Sequence, residues 1–127
     1  MFMVDEKSFQ GLINEAMASL PSNIMSNLKN VAILYSDEPS TEQRKRLDLQ
    51  QGQTLLGLYE GVPLSERQGQ STLLPDRITL FRNPISVRAA NFAEMKELIR
   101  HALWHEIAHY YGLGHERIRK LEGKGSE

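Results

Sequence analysis

His105-Glu106-Ile107-Ala108-His109-Tyr110-Tyr111-Gly112-Leu113-Gly114-His115 is the stretch that organises the chain, and it has the form H-E-x-x-H-x-x-G-x-x-H. On an α-helix, residues four apart share a face, with Cβ atoms roughly 5–6 Å apart. His105 and His109 therefore present two imidazoles to one point beside the helix. Zinc takes nitrogen ligands at about 2.0–2.1 Å in a tetrahedral arrangement, which two histidines one turn apart satisfy. Glu106 is the next residue round from His105. Its carboxylate falls beside the metal, where it can take a proton from a zinc-bound water. Gly112 permits a left-handed backbone and ends the helix, so that the chain can return His115 as a third ligand. Three protein ligands leave one position for water, as in catalytic zinc sites.

The surroundings of the motif argue the same way. Between Leu103 and Leu113 the polar side chains, tyrosine hydroxyls aside, are those of His105, Glu106 and His109. A helix end of that composition is buried on most sides. A buried glutamate and two buried histidines need partners, and a metal with its water supplies them. The extended motif fixes five positions, which average usage would produce about once in 10⁶ windows.

Working upstream, Asn91-Phe92-Ala93-Glu94 resembles a capping box with asparagine at the N-cap. It predicts one long helix running to Gly112, about 20 residues or about 30 Å, with Phe92, Met95, Ile99, Leu103 and Tyr110 as its core stripe. Arg77 to Arg82 alternates apolar and polar residues and reads as a strand with one polar face, entered through Pro75-Asp76 and stopped by Asn83-Pro84. Thr54 to Tyr59 reads as another strand, ended by Glu60-Gly61-Val62-Pro63 and followed by a polar loop to Leu74, placed near the mouth of the site. Val31-Ala32-Ile33-Leu34-Tyr35 reads as a buried strand. Ser40-Thr41-Glu42-Gln43 is a capping box for a short helix over 41–49. Its Arg44-Lys45-Arg46 run reads as a solvated face. Near the N-terminus, Phe9, Leu12, Ile13, Ala16, Met17 and Leu20 recur at helical spacing after Asp5, a helix over 5–20. After His115, residues 116–121 read as a short helix and 122–127 as a frayed tail.

Together these elements predict an α+β fold in a single domain spanning 1–127. With 127 residues, 40% hydrophobic and 24% charged, the chain has the composition of one globular domain. A net charge of −1 gives no reason to expect nucleic acid or an anionic membrane as partner. The absence of cysteine excludes disulfides and thiolate metal sites. With no signal-peptide pattern at Met1 to Lys7 and no apolar run near the roughly 20 residues of a membrane span, the expected location is cytoplasmic.

Other polar residues have weaker claims on the chemistry. His101 lies one turn before His105 and could support a ligand histidine. Glu116 could orient a ligand or replace His115 as an oxygen donor. Tyr59, Tyr110 and Tyr111 each carry a hydroxyl that could serve a developing oxyanion. Asp76 and Arg77 read as turn residues at a strand entry.

Beyond the motif, the segments Leu55-Leu56-Gly57-Leu58-Tyr59-Glu60-Gly61-Val62-Pro63-Leu64, Leu74-Pro75-Asp76-Arg77-Ile78-Thr79-Leu80-Phe81-Arg82 and His105 to Leu121 resemble the small bacterial zincin-like metallopeptidase family. The likeness covers residues 5–121. It implies a minimal zincin fold: a small mixed sheet of about three to four strands packed on a backing helix and a long active-site helix. It also implies one zinc ion per chain held by His105, His109 and the residue at 115, with Glu106 as base. Many members carry aspartate at the third position. His115 is closer to the metzincin form, yet no methionine follows it, so the methionine turn of true metzincins is missing. No large C-terminal subdomain is expected to form the far wall of a cleft.

The first functional reading is therefore a zinc metallopeptidase acting on a peptide or unfolded protein laid along a sheet edge, supplied by the second or third strand. The second is a non-catalytic or partner-dependent zincin, its zinc structural or its cleft completed by another protein. The third is a metal-dependent RNA endonuclease of the ribosomal-RNA maturation type. It is disfavoured because Glu106 stands where those enzymes carry glycine.

Overall fold

The computed structural model describes residues 1–61 and 75–112. Among them are five helices and one three-stranded sheet. In chain order the elements are α1 (Glu6–Ser19), α2 (Ser22–Ser26), β1 (Val31–Ser36), α3 (Thr41–Arg46), β2 (Gly57–Glu60), β3 (Asp76–Phe81), α4 (Arg82–Arg88) and α5 (Phe92–Tyr110). The expected α+β class and mixed sheet are present, with α1 as the backing helix and α5 as the helix of the motif.

The helix ends are set by local chemistry. Asp5 Oδ1 accepts from the Ser8 amide at 2.7 Å and starts α1. Phe9, Leu12, Ile13 and Ala16 of this helix are buried. Ser40 and Gln43 form the expected capping box of α3, whose regular part ends at Arg46 rather than 49. Asn91 Oδ1 accepts from the Glu94 amide at 2.9 Å at the start of α5. At the other end Gly112 adopts φ 78°, and its amide donates to the His109 carbonyl.

The strand order is β1-β3-β2, with β1 parallel and β2 antiparallel to β3. Ile78 and Leu80 of β3 lie fully buried in one core with Phe9 and Ile13 of α1 and Met95, Ile99, Leu103 and Ile107 of α5. The register puts Ile33, Tyr35, Gly57 and Tyr59 on the same face as Ile78 and Leu80, because side chains alternate with period two.

Several expectations are corrected. The polar face expected of 77–82 is reduced to Arg77, which stays exposed, because Thr79 and Phe81 of the same face are buried along with Asp76, Ile78 and Leu80. Val31 to Tyr35 is not a buried strand but an edge, leaving Leu34 45% exposed. Phe92 is 49% exposed and leaves the α5 core stripe, meeting Phe2 edge-on at 6.3 Å. Asn83-Pro84 does follow the end of the strand, and the chain passes directly into α4, a helix not expected from the sequence. Proline is tolerated in the first helical turn, where its missing N–H costs no internal bond.

Arg82, at the β3–α4 junction, fastens three segments. Its Nε lies 2.8 Å from Asp37 Oδ1 just past β1, and its Nη1 donates to the Val4 carbonyl at 2.8 Å. That guanidinium holds the Asp37 carboxyl below its ordinary range.

Candidate metal centre

The last two turns of α5 lie against β2 and β3, with Leu103, Ile107, Ala108 and Tyr110 fully buried. This packing fixes the helix rotation and so decides which way its polar residues face. His105 and His109 stand one turn apart with ring centroids 4.9 Å apart and planes at 73°. One ligand atom each from His105, Glu106 and His109 can be chosen so that all lie within 4.8 Å of one another. Two nitrogens on a tetrahedral zinc sit about 3.3 Å apart at the usual bond lengths. The pair thus fits a zinc ion with small side-chain adjustment, and nitrogen donors on imidazole suit that metal.

Glu106 is 8% exposed. Its Oε1 accepts from the Tyr59 amide at 2.9 Å. Burial pushes the carboxyl up to about 7, and the Tyr59 hydrogen bond pulls the other way without cancelling it. The donor amide belongs to the outer edge of β2. The Phe81 amide donates to the Leu56 carbonyl, so residues 56, 58 and 60 turn their backbone groups toward β3. Gly57 and Tyr59 turn theirs outward, and one of those outward N–H groups reaches Glu106.

Two glycines make this fit. A Cβ on Gly57 would lie 2.9 Å from Leu80 Cδ2 and 3.3 Å from Glu106 Cγ, so β2 and α5 approach this closely only with glycine there. A Cβ on Gly61 would overlap the Asp76 carboxyl. Between them, the Tyr59 hydroxyl donates to Asp76 Oδ2 at 2.6 Å. Asp76, read from the sequence as a turn residue, is instead a 3% exposed carboxyl on the central strand. The signal that could have found it was the alternation Gly57-x-Tyr59-x-Gly61. Glycine in a strand marks a close approach, and here one opens β2 and another follows directly after it, on either side of one tyrosine.

The other candidates are placed as follows. His101 is exposed, one turn before His105, with its ring 6.3 Å away. The Tyr110 hydroxyl accepts from the Lys29 amide at 3.1 Å. The Tyr111 hydroxyl donates to the Ile24 carbonyl at 2.6 Å, and burial raises its pKa. The protons of Tyr59 and Tyr111 are thus directed at Asp76 and Ile24. His115 and Glu116 lie outside the described residues, as do the loop from 62 to 74 and the segment after 112. Arg46 of the basic run is not simply solvated. Its Nη1 lies 2.8 Å from Glu60 Oε2, and Gln43 Nε2 donates to Glu60 Oε1 at 2.9 Å, which ties α3 to β2.

A paired-histidine helix with an adjacent glutamate, packed against the edge strand of a mixed sheet, defines the class of zincin-like proteins. Residues 28–124 match the zincin-like metallopeptidase family, and the chain belongs to it. Its fold is similar to that of a conserved hypothetical protein from Thermo thermophilus, with a TM-score of 0.51 at 18% identity, covering 94% of this chain and 99% of that one. No functionally curated protein matches the chain. Among the described residues, no helix is long and apolar enough to cross a membrane.

Proposed function

We propose that the chain is a zinc-dependent metallopeptidase that hydrolyses peptide bonds with Glu106 as general base. His105 and His109 would hold the ion, together with His115 from the segment beyond α5. When bound, zinc would supply Lewis acidity, polarising a carbonyl and acidifying water. The remaining work falls to the protein. Glu106 accepts the proton of the attacking water and returns it to the leaving amine. Burial raises this carboxyl in the metal-free protein, and the positive charge of a bound ion would draw it back toward the ionised form that a base needs. The observation that carries this reading is Glu106 itself: a buried carboxylate beside a bis-imidazole site, seated on the outward amide of an edge strand.

β2 is the edge assigned to substrate. β3 is central and unavailable for strand addition, whereas β2 lies against α5 and turns the Gly57 and Tyr59 carbonyls outward. A peptide or unfolded segment presenting backbone N–H groups would pair there. A protein partner that completes the cleft is the alternative way to reach activity.

The deciding comparison is wild type against Glu106→Gln, on unfolded casein and a peptide library with zinc content measured in parallel. One zinc in each protein and cleavage only by wild type is the expected result. Equal turnover by the variant would remove Glu106 from the mechanism. Zinc without cleavage by either would favour the non-catalytic or partner-dependent reading.

A further inference from the structure

We propose that Asp76 is a positioning residue for Glu106, acting through Tyr59. The kinetic part of this inference rests on the peptidase reading above. Its structural part does not.

The inner face of β2 is built around two carboxyls. Gly57 leaves room for Glu106, Gly61 leaves room for Asp76, and Tyr59 between them bonds both. The tyrosine amide serves Glu106, and the tyrosine hydroxyl serves Asp76. A phenol donating to a buried carboxylate makes a short, charge-assisted bond, and 2.6 Å is within that range. Asp76 is itself well anchored. It begins the central strand, and its amide donates to the Asn30 carbonyl at 2.9 Å. The Tyr59 ring also meets Tyr110 of α5 edge-on at 6.1 Å.

β2 needs such an anchor. It is a four-residue edge strand, and the amide that holds Glu106 points away from its ladder. Leu58 and Glu60 are secured by β3, and Glu60 also by α3. The depth of residue 59 against α5 depends on its own side chain. A shift there moves the donor that fixes Glu106, and a misplacement of about 1 Å in a catalytic group can cost about 100-fold in rate. Asp76 thereby sets the orientation of Glu106 without touching it.

The test uses Tyr59→Phe, which keeps the ring, together with Asp76→Ala, Asp76→Asn and the Tyr59→Phe/Asp76→Ala double variant. Residue-resolved amide hydrogen exchange is read at positions 58, 59 and 60, alongside zinc affinity and peptidase kinetics. Exchange at 59 should rise about tenfold in Tyr59→Phe and Asp76→Ala, less in Asp76→Asn, and no further in the double variant. Positions 58 and 60 should stay protected. Zinc affinity should be unchanged, while kcat falls about tenfold or more and KM stays within about twofold. Unchanged exchange at 59 would overturn the proposal. So would a joint rise at 58, 59 and 60, the mark of a general loosening of β2, or additive effects in the double variant. If wild type cleaves no peptide, the peptidase reading fails, and exchange at 59 still decides the role of Asp76.

Discussion

Gly57 and Glu106 meet across the β2–α5 contact with no space for a side chain between them. A Cβ at position 57 would stand 3.3 Å from Glu106 Cγ and 2.9 Å from Leu80 Cδ2. Leu80 is fully buried and cannot move aside cheaply. Gly57→Ala should therefore cost about 1–3 kcal/mol, the usual penalty for overpacking a core. It should also lengthen the Tyr59–Glu106 hydrogen bond. Urea unfolding gives the first quantity. A stability equal to wild type would show that the contact is looser than these distances imply.

The raised pKa of Glu106 makes a signed statement about stability. Its carboxyl binds a proton more tightly folded, at about 7, than at its ordinary value of 4.5. The native state is thus the better proton acceptor between those two values. This contribution is fully present below pH 4.5 and is lost as pH rises through 7. It amounts to about 3 kcal/mol at most. Other carboxyls act oppositely in acid, since Asp37 is held low by Arg82. The clean measurement is the stability of metal-free wild type minus that of Glu106→Gln, at about pH 5 and about pH 8, on either side of the titration. The difference should shrink or change sign toward the alkaline end. A difference independent of pH would mean that Glu106 is not desolvated.

Metal binding should appear as stabilisation. Zinc that binds the folded site alone adds about 2.7 kcal/mol at roughly a hundredfold excess over Kd. Wild type should show a concentration-dependent rise in Tm. His105→Ala and His109→Ala should show little or none, as each removes half of the bis-imidazole pair. A full rise in either variant would place the ion elsewhere.

The end of α5 is tied to the 24–29 segment by two tyrosine hydroxyls. Tyr111→Phe removes the bond to the Ile24 carbonyl, and Tyr110→Phe removes the acceptor for the Lys29 amide. Each should cost about 1 kcal/mol, with more for Tyr110 if the Lys29 amide finds no water. Denaturant midpoints measure both. Neutral effects would show that neither hydroxyl helps hold the helix end that carries His109.

The long helix and its site were legible because everything that defines them is local. Asn91 caps α5, Gly112 ends it, and four-residue spacing sets His105 beside His109, whatever the rest of the chain does. The strands were legible as segments but not as a sheet. Arg77 to Phe81 alternates in composition as a half-exposed strand would, yet Thr79 and Phe81 on the second face are buried as well, and Arg77 is the residue of β3 that stays exposed. Val31 to Tyr35 is as apolar as a central strand and sits at the edge.

By itself, the sequence determined α1, α3 and α5, their caps and the two-histidine face, since these follow from the geometry of consecutive residues, whereas α2 and α4 were not read from it. Tertiary structure alone decided how the site is held. Glu106 takes its partner from Tyr59, 47 residues away, and Tyr59 takes its own from Asp76 on another strand. Strand order chooses such pairs by the burial of whole faces. Alternation along one segment records which residues share a face, not which neighbour will cover it.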